Sequence, residues 1–92
     1  MAQASRSTSL TASGALLAIP EGEYVGFVVT TALSAAAITI YDNASAASGT
    51  IIDVIPASTA AGTRVNNASP IRVKNGIYVS FGGTGTVTFF FN

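Results

Sequence analysis

Glu21 and Glu23 flank Gly22, and a pair of carboxylates held across a cleft is the basic equipment for acid–base cleavage of a glycosidic bond. Here the pair follows Pro20. Pro20-Glu21-Gly22 reads as an exposed turn, a setting in which two acids seldom share a cleft. Asp42 and Asn43 stand at the end of an apolar run and could ligate a cation. Calcium takes about six to eight oxygens, however, and no acid-rich loop supplies them, so the pair reads instead as an Asx-type turn. Histidine and cysteine are absent, which removes imidazole catalysis, thiol nucleophiles, disulfides and most zinc sites. "GGTG", Gly82 to Gly85, has the glycines of a phosphate loop but neither the Lys-Ser/Thr continuation nor a following helix. "NAS" at Asn43 and at Asn67 matches the glycosylation sequon, yet both read as Asn-rich turns.

Two further groups could bind rather than react. Arg64, Arg72 and Lys74 either form a small positive patch or line a solvated edge, where charge discourages unwanted strand pairing. With Arg6 they are the only cations, too few to track a nucleic-acid backbone. Tyr24, Tyr41 and Tyr78 are the only tyrosines; two of them clustered outward in a groove would favour a sugar-binding site. No catalytic, cofactor-binding or metal-binding residue is assigned, and the chain is expected not to be an enzyme.

The chain that must position these residues has 92 amino acids, enough for one small domain. Charged residues make up 9%, where soluble domains carry about 25%. Four acids balance four bases, and mean hydropathy is +0.53. The surface must therefore be covered by Ala, Ser, Thr, Gly and Asn. Such a surface is either neutral and solvated or built to pack against protein, and the scarcity of charge favours association. The N-terminus does not read as a signal peptide, because its longest apolar run is Ala15 to Pro20. No run approaches the length of a membrane helix.

Periodicity predicts an all-β domain, a compact β-sandwich or small barrel of about seven short antiparallel strands. Residues 1 to 20 are expected as an N-terminal arm, flexible to about residue 13 and with a possible short strand at "ALLAI". Residues 21 to 92 are expected as the β domain. In "EYVGFVVTT", Val25, Phe27 and Val29 alternate on one face and Tyr24 and Val28 on the other, with Gly26 marking a bulge or a close approach. "ALSAA" is a loop. "AITIYD" puts Ile38 and Ile40 on one face, Thr39 and Tyr41 on the other. In "TIIDVIP", Asp53 argues that Ile52 and Val54 point inward, leaving Ile51 and Ile55 as an outward apolar patch. "TRVNN" is a short strand around Val65. "IRVKNGIYVSF" reads as a β-hairpin closed by a three-residue loop, Lys74-Asn75-Gly76, with Gly76 at positive φ. That register sets Val73 opposite Ile77, Ile71 opposite Val79 and Arg72 opposite Tyr78. "TVTFFFN" closes the domain with Val87, Phe89 and Phe91 on one face and Thr86, Thr88 and Phe90 on the other, a strand covered on both sides.

The stretches "ITIYDNASAASGTIIDVIPAST" and "GIYVSFGGTGTVTFFF" resemble small structural proteins of tailed bacteriophage virions, most of all capsid decoration or cement proteins. The resemblance lies in Ile38 to Asp42, Gly49 to Pro56 and Gly76 to Phe91. It implies a β domain on the capsid exterior, often a homotrimer at three-fold or quasi-three-fold positions. It also implies an N-terminal arm engaging the major capsid protein and neighbouring subunits. The function expected from it is mechanical: bridging adjacent capsid subunits, with no nucleic acid, membrane or cofactor involved. The alternatives are a head-fibre or tail module that binds a receptor or carbohydrate, and a tail tube or sheath subunit.

Overall fold

Among the described residues, alternating apolar and polar residues build eight strands: β1 (Arg6–Leu10), β2 (Gly14–Leu17), β3 (Gly22–Thr31), β4 (Ile38–Tyr41), β5 (Ile51–Ile55), β6 (Arg64–Val73), β7 (Ile77–Phe81) and β8 (Thr86–Phe91). The computed structural model describes residues 6–17 and 22–92, and the side chains of Arg6, Leu17 and residues 66–70 lie outside that description. The strands form two antiparallel four-stranded sheets. Sheet I has the order β1-β8-β3-β6 and sheet II the order β2-β7-β4-β5. Every connection except β4–β5 passes from one sheet to the other.

Both sheets feed one core. Tyr24, Phe27 and Val29 of β3, Val73 of β6 and Val87, Phe89 and Phe91 of β8 meet Ile38 and Ile40 of β4, Ile55 of β5 and Ile77 and Val79 of β7. Leu33, in the β3–β4 loop, is buried with them. The molecule measures 33 × 31 × 17 Å, a thickness that suits two sheets about 10 Å apart with their outer side chains. Each fully buried aliphatic or aromatic side chain stabilises the fold by about 1.5–3 kcal/mol relative to exposure, so this shared cluster is the main support of both sheets.

β4 and β8 follow their sequence pattern residue by residue: Ile38 and Ile40, then Val87, Phe89 and Phe91, face the core. β3 and β5 do not, because each carries a bulge. Both ladders of β3 step from Tyr24 to Gly26, leaving Val25 as an extra residue. That step flips the parity, so Tyr24 joins Phe27 and Val29 in the core, against the expected alternation. On β5 the register passes from Ile40↔Asp53 to Tyr41↔Ile51. Ile55, opposite the inward Ile38, is fully buried and Val54 exposed, the reverse of the expected facing, while the extra residue Ile52 turns Ile51 outward, as expected.

The expected hairpin at 71–81 does not form. Its loop has the expected length, residues 74–76, and Gly76 has φ +147°. But β6 pairs with β3 in sheet I, and β7 pairs with β2 and β4 in sheet II. Arg72 therefore stands opposite Glu23, not Tyr78, whose partners are Ala15 and Tyr41. The segment expected as an arm also enters the sheets where it is described. Arg6–Leu10 pairs along β8 from Arg6↔Phe91 to Leu10↔Val87, and Gly14–Leu17 pairs with β7. Met1 to Ser5 and Ala18 to Glu21 lie outside the described residues.

Candidate functional site

The core positions of β4 and β7 fix what lies on the other side of sheet II. Because Ile38, Ile40, Ile77 and Val79 point inward, Thr39, Tyr41, Tyr78 and Ser80 point outward. Cross-strand register then lays these residues in rows. Ala15, Tyr78, Tyr41 and Ile51 follow one another across β2, β7, β4 and β5; Ser80, Thr39 and Val54 form the next row. Directly opposed residues on antiparallel strands hold their Cβ atoms about 4.5–5.5 Å apart, so Tyr41 and Tyr78 are immediate neighbours. Both are half-buried. Ile51 is 54% exposed and Val54 48%. Neither row contains a charged residue.

A second apolar feature lies at the edge of the two sheets. Val65 and Ile71 of β6 stand opposite the buried Phe27 and Tyr24 and share their inward parity, yet they are 41% and 37% exposed. β6 is the outer strand of sheet I and β5 of sheet II. β1 and β2, the opposite outer strands, are joined by three residues, a link too short to reach beyond adjacent edges. The other two outer strands, β5 and β6, therefore share the remaining edge. All the large hydrophobic side chains exposed among the described residues, Ile51, Val54, Val65 and Ile71, belong to these two strands.

Asp53 lies between these features and ties the sheets together. Its Oδ2 accepts a hydrogen bond from the Tyr24 hydroxyl at 3.0 Å, and its Oδ1 accepts one from the Val54 amide at 2.9 Å. Tyr24 is fully buried. Burial, first, and then the negative charge and hydrogen bond of Asp53 push the phenol pKa far above its ordinary value of 10.0. The phenol is thus a neutral donor that satisfies a carboxylate, and its role is structural. The half-buried Asp53 keeps an inward facing because this remote partner exists.

The other chemistry-bearing residues have local partners. Asp42 caps the β6–β7 connection: Oδ1 accepts from the amides of Lys74 (3.1 Å) and Asn75 (2.8 Å), and Oδ2 from that of Lys74 (3.1 Å). Asn43 forms the expected Asx turn, its Oδ1 accepting from the Ser45 and Ala46 amides at 2.9 Å each. Asn67 lies in β6, where its side chain is outside the described set. Glu21 is also outside it, so the Glu21–Glu23 pair is not assembled among the described residues. Arg64 and Arg72 sit toward opposite ends of β6, and the Arg64 guanidinium stands 5.7 Å over the Phe90 ring.

The glycine run is a packing device. A Cβ on Gly82 would come within 2.9 Å of the Ala37 carbonyl oxygen, and Gly85 combines φ +137° with close contact to Leu33. The Gly82 amide donates to Ala37 O at 3.2 Å and the Thr84 amide to Ser34 Oγ at 3.0 Å, so both are spent within the protein. Among the described residues no three His, Cys, Asp or Glu side chains gather to hold a metal, and no helix is long and apolar enough to cross a membrane.

What this arrangement offers is contact surface: a charge-free face with paired tyrosines beside an apolar edge. Sequence reasoning missed the Tyr24–Asp53 bond, since 29 residues and two bulges separate the partners from any local signal. Comparison of the chain with family models, with curated proteins and with solved structures gives no match.

Proposed function

We propose that this chain is a non-enzymatic structural subunit of a tailed-bacteriophage virion, on the capsid exterior, that bridges neighbouring subunits of the major capsid protein. The observation that carries the reading is the concentration of exposed Ile51, Val54, Val65 and Ile71 on β5 and β6, the outer strands at one edge. An outer strand presents unpaired backbone donors and acceptors, and soluble proteins usually guard it with charge or proline. Beyond Pro70, this edge has Asp53, Arg64 and Arg72, and Asp53 already serves Tyr24. An apolar edge beside a nearly charge-free surface is suited to permanent burial against protein.

The strand order adds support. β1-β8-β3-β6 with β2-β7-β4-β5 is the order of an eight-stranded sandwich made of two Greek keys, the jelly roll found in viral capsid domains among others. The stretches that resemble decoration proteins fall on β4, β5, β7 and β8. In this reading the edge closes a homotrimer, and three weak capsid contacts act together through high effective concentration. Preferential binding to the mature lattice then stabilises that state by linkage.

Light scattering coupled to size exclusion over a dilution series, followed by co-sedimentation with expanded heads of a phage carrying the gene, tests this. The expected result is a particle of three times the 9.2 kDa chain mass that pellets with heads. The variant Val54→Lys/Val65→Lys should be monomeric and remain in the supernatant. Removal of residues 1–5, which spares β1, should weaken pelleting without dissolving the trimer. A wild-type chain that stays monomeric and never pellets overturns the proposal.

A further inference from the structure

We infer that the outer face of sheet II is a saccharide-binding platform on which Tyr41 and Tyr78 hold a neutral sugar ring. A pyranose presents two chemistries at once: an apolar face of C–H bonds and a rim of hydroxyls. The face of sheet II matches both. Tyr41 and Tyr78 are direct cross-strand partners on β4 and β7 and supply adjoining aromatic surface, each with a polar tip. Thr39 and Ser80, also direct partners, lie in the next outward row, about 6.8 Å further along the strands. That is the scale of one sugar unit, and their hydroxyls can both donate to and accept from a sugar hydroxyl.

Charge narrows the ligand. Neither row carries an ionic side chain, and the nearest carboxylate in sequence, Asp42, is held by the Lys74 and Asn75 amides. A phosphate, uronate or sialate would find no cation among these rows, so the ligand is a neutral glycan. The tyrosine pair lies on the two inner strands, each paired on both sides. The exposed Ile51 and Val54 continue the same rows onto the outer strand β5, so contact with a second copy is the competing occupant that the test must separate. Strands paired on both sides keep the platform preorganised, which reduces the entropy lost on binding. Tyrosine contributes to the same end, since only two side-chain torsions need to be fixed. The site does not require the assembly reading, since neither tyrosine belongs to the β5–β6 edge, but it adjoins that edge where Val54 stands beside Thr39.

The test uses the full chain and a panel of soluble neutral oligosaccharides: cello-, malto-, manno- and chito-hexaoses and a galactan hexamer. Binding is followed by NMR shifts of Tyr41 and Tyr78 and by intermolecular NOEs between their ring protons and sugar C–H protons. At least one sugar should give saturable shifts with NOEs to both rings. Tyr41→Ala and Tyr78→Ala should each weaken that binding about tenfold or more, and Tyr41→Phe and Tyr78→Phe should keep most of it, because the stacking face survives. The wild-type NOEs keep the test decisive even if an alanine variant does not fold. Absence of shifts with every sugar overturns the inference. So does binding without ring contacts, or tyrosine shifts that follow protein concentration alone, which would assign the face to a second copy. Ring NOEs to sugar read this site and light scattering reads the assembly, so the failure of one is distinguishable from the failure of the other.

Discussion

On the outer face of sheet I, Ser9 Oγ and Thr88 Oγ1 share a hydrogen bond of 2.6 Å, and Arg64 covers the Phe90 ring. On the outer face of sheet II, Tyr41 faces Tyr78 beside Thr39 and Ser80, and Ile51 and Val54 stand open to solvent. The same core supports both. The first face satisfies its polar atoms and shields its aromatic ring with groups of its own. The second leaves aromatic surface on the fully paired strands β4 and β7, and aliphatic surface unshielded on the outer strand β5. The contrast teaches that blandness of composition is not uniformity of surface: a hydroxyl pair and a guanidinium cover part of one side, and open aromatic and aliphatic surface gathers on the other.

The largest test of that contrast strikes what the faces share. Phe89→Ala in β8 should cost about 3–5 kcal/mol and Ile40→Ala in β4 about 2–5 kcal/mol. In urea, far-ultraviolet circular dichroism and tyrosine fluorescence should lose both sheets in one transition for either variant. Two separated transitions would mean that each face has its own support.

Next in size is the bond that crosses between sheets. Asp53→Ala strands the buried Tyr24 hydroxyl and should cost about 1–3 kcal/mol by chemical denaturation. Tyr24 also gives the fold an alkaline limit. Its pKa is raised in the folded state, so the native phenol keeps its proton after the unfolded one, with an ordinary value of 10.0, has lost it. The contribution of Tyr24 is complete below pH 10 and is lost as pH rises above it, by at most about 1.4 kcal/mol per unit. Urea titrations from pH 8 to 11.5 should show that decline in the wild type and a shallower one in Tyr24→Phe.

Smaller effects sharpen the difference between the faces directly. Tyr41→Ala and Tyr78→Ala should each lose about 0.2–1 kcal/mol of stability, and the double variant less than the sum if the rings support each other. Thr88→Ala, which breaks the exposed bond to Ser9, should cost about 0.5 kcal/mol in the same urea assay. It should also leave the proposed sugar binding unchanged, whereas Tyr41→Ala and Tyr78→Ala should each weaken it about tenfold or more.

How much of this could be read from the sequence depended on whether a feature was a matter of facing or of partnership. Ile38 and Ile40, and Val87, Phe89 and Phe91, were legible because a regular strand has period two and one buried side. The pair Val73 and Ile77 shows the limit. Their inward facing is right, but a hairpin and a crossing between two opposed sheets both point them into the same core. Alternation reports which side chains are covered and is silent about which strand lies alongside. Bulges hid the rest. One extra residue at Val25 brought Tyr24 inside, and one at Ile52 put Ile51 outward although Asp53 and Ile55 face in. Asp53 misled further, since an inward carboxylate looks too costly until its phenol partner is found. The tyrosine platform was half legible: Tyr41 was placed on the outward side of its strand, but its adjacency to Tyr78 required the β4–β7 ladder.

The place of β8 in sheet I governs how the chain can be made. β8 lies between β1 and β3, so β1 has no neighbour, and β3 has only β6, until residues 86–91 have left the ribosome. Early segments cannot fold and wait, because nearly every strand needs a partner far along the chain. Maturation should therefore be late, concerted and slow for so short a polypeptide, in the millisecond-to-second range of folds dominated by distant pairings. During that interval the apolar strands β3 and β4 are exposed together, and chaperones or dilution should govern yield more than final stability does.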